Sequence, residues 1–193
     1  MKKIISIIFF SIFFFETSNS ENIINRIYEG NIDAKIKLIV YESLTCSHCA
    51  DFHKNVYPNL KKDFIDKNLI KIEFRNFPLD MSALNAAKIA HCKNDGKADI
   101  LHLLYQKQKE WVKGQTIEDI NKNLKKFIQK NEKNLNYESC LMDKKIEDHI
   151  LNDRITGVKK FSIDATPTLI INGKKFDNPQ NYKKLKKTIE KLI

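Results

Sequence analysis

Two cysteines three residues apart, in Leu44-Thr45-Cys46-Ser47-His48-Cys49-Ala50-Asp51, carry the most obvious chemistry in this sequence. A thiolate is the reactive form of cysteine, both as nucleophile and as metal ligand. If a helix starts at Ser47, Cys46 sits at its N-terminus, where unpaired N–H groups and the helix dipole favour negative charge. Cys49 then lies one turn further on, able to attack a mixed disulfide formed at Cys46. The competing chemistry is half of a tetrahedral zinc or copper site, since Cys-x-x-Cys also suits soft metals. Such a site needs further ligands around the pair, with His48 the nearest.

The surrounding elements decide where these side chains point. The apolar run Ile36 to Tyr41 reads as a buried strand that delivers the cysteines. A helix is predicted from Ser47 towards Phe64, kinked by Pro58. Ile70, Ile72 and Phe74 alternate with Lys71, Glu73 and Arg75, a strand pattern. The crossover length implies that these two strands are parallel. Residues 21–35 read as polar and turn-like.

From Pro78 the pattern is helical. Met81–Lys93 is Ala-rich; Ile100, Leu103, Leu104 and Trp111 mark a second helix that Gly114 ends. Thr116-Ile117-Glu118-Asp119 resembles a capping start. Ile146, Ile150, Leu151 and Ile155 lead to a stop at Gly157. Beyond Pro167, Thr168–Ile171 and Lys174–Phe176 flank Asn172-Gly173, a strong hairpin signal, and an amphipathic helix closes the chain. The plan is α/β: βαβ, a helical insertion over about 78–160, then ββα.

Composition narrows the setting. Met1-Lys2-Lys3, the apolar run Ile4 to Phe15 and the small residues up to Ser20 match a secretory leader over 1–20, or, uncleaved, a membrane tether. The run is too short to span a bilayer as a helix, which takes roughly 20 residues. Residues 21–193 make one domain. The net charge of +10 falls to +9 without the leader. Its lysines are scattered over predicted helix faces with only three arginines and no nucleic-acid motif, so nucleic acid is not an expected partner. Four cysteines in an exported chain suggest disulfides, with three possible pairings. The close spacing makes Cys46 and Cys49 the reactive pair and leaves Cys92 and Cys140 as a structural bridge or as two buried thiols.

The element order, Cys46-Ser47-His48-Cys49, and Ala165-Thr166-Pro167-Thr168 resemble the exported DsbA-like thiol:disulfide oxidoreductases, thioredoxin-fold proteins with a helical insertion. Gly30-Asn31-Ile32-Asp33-Ala34 and Phe74-Arg75-Asn76-Phe77-Pro78-Leu79-Asp80 extend the likeness over nearly the whole exported part. The resemblance implies that Cys46 is the exposed nucleophile and Cys49 the resolving thiol. His48 is then expected beside the Cys46 sulfur, and Ser47 replaces the family's usual proline. It further implies that Thr166 and Pro167 form a cis-proline element presenting backbone to an extended substrate, and that Cys92 and Cys140 form a second, structural pair. The expected activity is dithiol oxidation of reduced or unfolded exported proteins in the periplasm. The expected partner is a quinone-linked membrane re-oxidase of the DsbB type, with no cofactor. A disulfide isomerase or reductase of the same fold is the near alternative, and a metal-binding or metal-delivery protein the distant one. The chain departs from the pattern at Val40, where thioredoxin-like proteins place an acid six residues before the first cysteine. In that family the acid assists proton transfer; Glu42 shares the strand face by alternation and is the candidate for such a proton-relay role, but reads as a partly solvated carboxylate. His53, His91, His102 and His149 read as solvated surface histidines.

Overall fold

β2 (Ile36–Glu42) is the centre of the structure because every second residue is apolar and both of its neighbours are strands. Leu38 and Val40 enter the main core, while Tyr41 joins Phe77, Ile163 and Ile170 in a smaller core on the other face. The computed structural model describes residues 23–193; the expected leader lies outside the described residues. β2 pairs in parallel with β3 (Ile70–Asn76) and antiparallel with β4 (Thr168–Ile171), which forms a hairpin with β5 (Lys174–Phe176). Asn172 and Gly173, both at positive φ (46° and 83°), make that hairpin turn.

The five-stranded order is β1-β3-β2-β4-β5. Its outer member β1 (Ile27–Gly30), antiparallel to β3, corrects the expectation of a turn-like stretch over 21–35. In this four-residue strand only Ile27 is buried, so its own periodicity is too short to register. It is a strand because β3 offers an open edge.

The predicted helix after the cysteines runs over residues 47–65 (α1), alternating α turns (Ser47–Asp51, Tyr57–Leu60) with π turns (Phe52–Val56, Lys61–Ile65). The first π turn ends just before Pro58, whose missing N–H would leave an α ladder incomplete. The helical insertion follows. It comprises α2 (Met81–His91), α3 (Asp99–Gln106), α4 (Gln108–Trp111), α5 (Ile117–Asn131), α6 (Tyr137–Met142) and α7 (Lys144–Phe161). The single helix expected through Trp111 breaks at Lys107, which leaves helical geometry (φ −111°, ψ 19°). Thr116 and Asp119 form a reciprocal capping box on α5.

α7 does not stop at Gly157. It continues to Phe161 and ends on Ser162 in the left-handed region. Gly157 is there for space: a Cβ at this position would lie 2.8 Å from Cε1 of Tyr41. α8 (Tyr182–Glu190) closes the chain. No helix among the described residues is long and apolar enough to cross a membrane.

Candidate active site

Cys46 is the N-cap of α1 and is half-buried; Ser47 and His48 beside it are exposed, and Cys49 is fully buried. Both thiols are free. The Cys46 thiol donates to the carbonyl oxygen of Thr166 at 3.4 Å, across 120 residues of sequence. The Thr166–Pro167 peptide bond is cis. The strand–helix junction and the loop before β4 therefore meet at one sulfur.

That sulfur favours the anion. The Cys46 pKa falls from 9.0 to about 5, chiefly because the Cys49 thiol donates to it. Burial opposes the shift, while the Thr166 side chain and the backbone N–H groups of Cys49 and His48 add to it. The Thr166 hydroxyl has no other partner, so it is free to donate to a thiolate. His48 contributes through its main chain at the start of the helix, and its carbonyl accepts from Gln180 at 2.7 Å.

Cys49 is the opposite case. Burial first, then the neighbouring Cys46 and the charge of Glu42, push its pKa well up. At neutral pH the pair is thus one thiolate over one thiol. Glu42, expected to be partly solvated, is 4% exposed. As the last residue of β2 it continues the inward face of Leu38 and Val40 and ends beneath the cysteine turn. Its Oε2 lies 2.7 Å from Nε2 of His53, and its Oε1 has no partner.

The loop carrying Cys46 is tied down from the insertion. Gln108 donates to the carbonyls of Leu44 (2.8 Å) and Cys46 (3.0 Å). The Thr45 hydroxyl donates to Asp80 at 2.7 Å, and Asp80 also caps α2 through the N–H of Ala83. Among the described residues no group of three or more His, Cys, Asp or Glu side chains is arranged to hold a metal ion.

A sequence model of the thioredoxin family matches residues 22–191. The fold superposes on the crystal structure of Wolbachia pipientis alpha-DsbA1 with a TM-score of 0.76 and 32% identity, covering 87% of this chain and 90% of that one. The chain belongs to the DsbA-like branch of the thioredoxin family. It is also 30% identical over 160 residues to a putative protein-disulfide oxidoreductase of Rickettsia bellii, covering 80% of this chain and 60% of that protein. With the disulfide bond formation protein D of Bacillus subtilis it shares 30% identity over 174 residues, 85% of this chain and 75% of that one. The chain spans about three fifths of the length of the rickettsial relatives it matches.

In this DsbA-like chain Cys92 and Cys140 are bridged, with their Cα atoms 5.3 Å apart, joining the end of α2 to α6. The bridge lies in the insertion, with Cys140 buried and Cys92 partly so. Two histidines expected at the surface are inside: His53 is 6% exposed and His91 is 2% exposed. His102 and His149 are partly buried. His53 had a legible signal, four residues after Cys49 on the inward face of α1. Gln108 and Asp80 had none, because each acts through a contact far along the chain.

Proposed function

We propose that the chain is a thiol:disulfide oxidoreductase, poised as a dithiol oxidase for exported proteins. The observation that carries this reading is the position of the Cys46 sulfur, at the N-terminus of α1 and 3.4 Å from the Thr166 carbonyl beside cis-Pro167, where its surroundings favour the thiolate. A stabilised thiolate stabilises the reduced enzyme, which makes its disulfide a stronger oxidant. Fold membership and the names of the relatives support the same chemistry.

In the oxidised form a substrate thiolate attacks Sγ of Cys46. The bond to Cys49 breaks, and a mixed disulfide forms at Cys46. Cys49 leaves as an anion in a buried place that disfavours anions, so it must take up a proton. A second substrate thiolate then attacks the substrate sulfur of the mixed disulfide. The bond to Cys46 breaks, and Cys46 departs as a thiolate that needs no proton at neutral pH. Two electrons pass to the enzyme, and of the two substrate thiol protons one ends on Cys49 and one in solvent. Ser47, Thr166 and Pro167 line the side from which the substrate approaches, with exposed Ala165 beside them. The sulfurs carry the electrons, so no cofactor enters these steps. We place the protein outside the cytoplasm, in the periplasm, directed by residues 1–20. There a DsbB-type quinone-linked membrane partner re-oxidises it.

Equilibration in glutathione buffers tests the reading. A reduction potential above about −200 mV supports an oxidase, and one near −270 mV indicates a reductase. Failure of Cys46 to exchange with glutathione at all would end the proposal.

A further inference from the structure

The steps above leave a proton to be delivered to, or taken from, a sulfur with no exposure to water. Cys49 is 0% exposed. The charge of Glu42 acts on that sulfur, and from Glu42 a line of hydrogen-bonding atoms leads to the edge strand β1. Glu42 Oε2 meets His53 Nε2 at 2.7 Å. His53 Nδ1 meets His102 Nδ1 at 3.3 Å. His102 Nε2 meets Glu29 Oε1 at 3.3 Å. Glu29, on the outer strand β1, keeps 21% of its side chain exposed. We propose that Glu42, His53, His102 and Glu29 form a proton relay linking the buried Cys49 sulfur to solvent.

The atoms support transfer in either direction without charging an imidazole. With the proton on Glu42, His53 carries its hydrogen on Nδ1 and His102 on Nε2. Glu42 gives its proton to His53 Nε2, His53 gives Nδ1–H to His102 Nδ1, and His102 gives Nε2–H to Glu29. Three N–H or O–H bonds break and three form. Both rings end as the other neutral tautomer, and one proton has moved from Glu42 to Glu29. The reverse sequence brings a proton to Glu42, the carboxyl whose charge acts on Cys49; when Cys49 leaves as a thiolate, the Glu42 O–H bond breaks, the S–H bond forms, and Glu42 returns to a carboxylate.

The surroundings hold this line in place. Tyr105 of α3 stacks on His53 with ring centroids 4.0 Å apart, and its hydroxyl, without an ordinary partner, lies beside the Cys49 thiol. Tyr57 of α1 donates to Glu29 Oε2 and packs 4.5 Å from His102. Burial pushes the Glu29 carboxyl up, but the hydrogen bonds from His102 and Tyr57, with the charge of Lys61, bring it below its usual range. The outer end therefore rests as a carboxylate ready to accept. The groups facing the two rings are Glu42 from β2, Glu29 from β1, Tyr105 from α3 and Tyr57 from α1, with Phe74 of β3 as the apolar wall.

The relay rests on the proposed exchange chemistry, and one experiment separates the two. Single-turnover oxidation of a synthetic dithiol peptide by the oxidised protein is followed at low buffer concentration. The proteins compared are the wild type, His102→Ala and His102→Gln, the last retaining a hydrogen bond without two tautomers. We expect both variants to be slower by about tenfold, less than the hundredfold or more that direct general acid–base catalysis supplies. Added imidazole restores His102→Ala, and the Cys46 titration midpoint stays at the wild-type value. Wild-type rates in both variants would overturn the relay, as would a slow His102→Ala that imidazole leaves slow, or a Cys46 midpoint that moves with the rate. A wild-type protein that neither oxidises the dithiol nor reduces the matching disulfide would instead remove the exchange reading, and the relay with it.

Discussion

Cys46 and Cys49 are chemically identical side chains one helical turn apart, and their environments separate them. Cys46 holds a place that N-cap oxygens usually fill, takes the Cys49 hydrogen bond and ionises near pH 5. Replacing Cys49 by Ala removes the largest of those contributions, so the Cys46 midpoint moves upward; thiolate ultraviolet absorbance of the variant checks it. The same shift has a thermodynamic sign. The folded pKa is depressed, so this stabilisation of the reduced protein is fully present above the unfolded value of 9.0 and is lost as pH falls through about 5. Denaturant unfolding of the reduced protein should accordingly show stability from this pair rising with pH between about 5 and 9. The oxidised protein, with no Cys46 proton to lose, lacks that contribution. Glu42→Gln removes the carboxylate that helps to hold Cys49 protonated. It should bring the Cys49 pKa down while slowing peptide oxidation, a pair of effects that simple loss of packing does not produce.

Among the elements, the sequence was most legible where periodicity is local. β2, β3, the Asn172-Gly173 hairpin and the Thr116 capping box follow from a few adjacent residues each. What escaped was set by distant contact. β1 exists by pairing with β3, and α1 changes to π turns around Pro58. The burial of Glu42, His53 and His91 depends on which faces the fold brings together. Gly157 shows the same limit, since its composition signals a stop and its neighbour Tyr41 makes it a spacer within α7. Gly157→Ala tests this reading. Helix propensity alone would favour Ala by about 1 kcal/mol. The buried Tyr41 ring leaves no room, and overpacking of this kind costs about 1–3 kcal/mol. Net destabilisation in denaturant melts is therefore expected, and relieved in the double variant Gly157→Ala, Tyr41→Leu.

Across the whole molecule, the sheet supplies a fixed floor and the insertion clamps the reactive turn from above. Gln108 and Asp80 hold the Cys46 loop from the insertion. The Cys92–Cys140 bridge braces α2 against α6 within it. Closing a loop with a sequence separation of 48 is worth about 4 kcal/mol by the chain-entropy relation. Replacing both cysteines by Ala should lower stability by up to that amount and leave the Cys46 midpoint in place. The family resemblance was readable because two signals far apart in sequence, the cysteine pair and Thr166-Pro167, belong to one place in the fold. The polar line from Glu42 to Glu29 was not, because its four members come from four separate elements. The most direct test of the account is ultraviolet titration of the thiolate in the reduced protein. It predicts a midpoint near 5 for Cys46, with Cys49 still protonated well above neutrality; a midpoint near 9, the value of an unperturbed thiol, would contradict it.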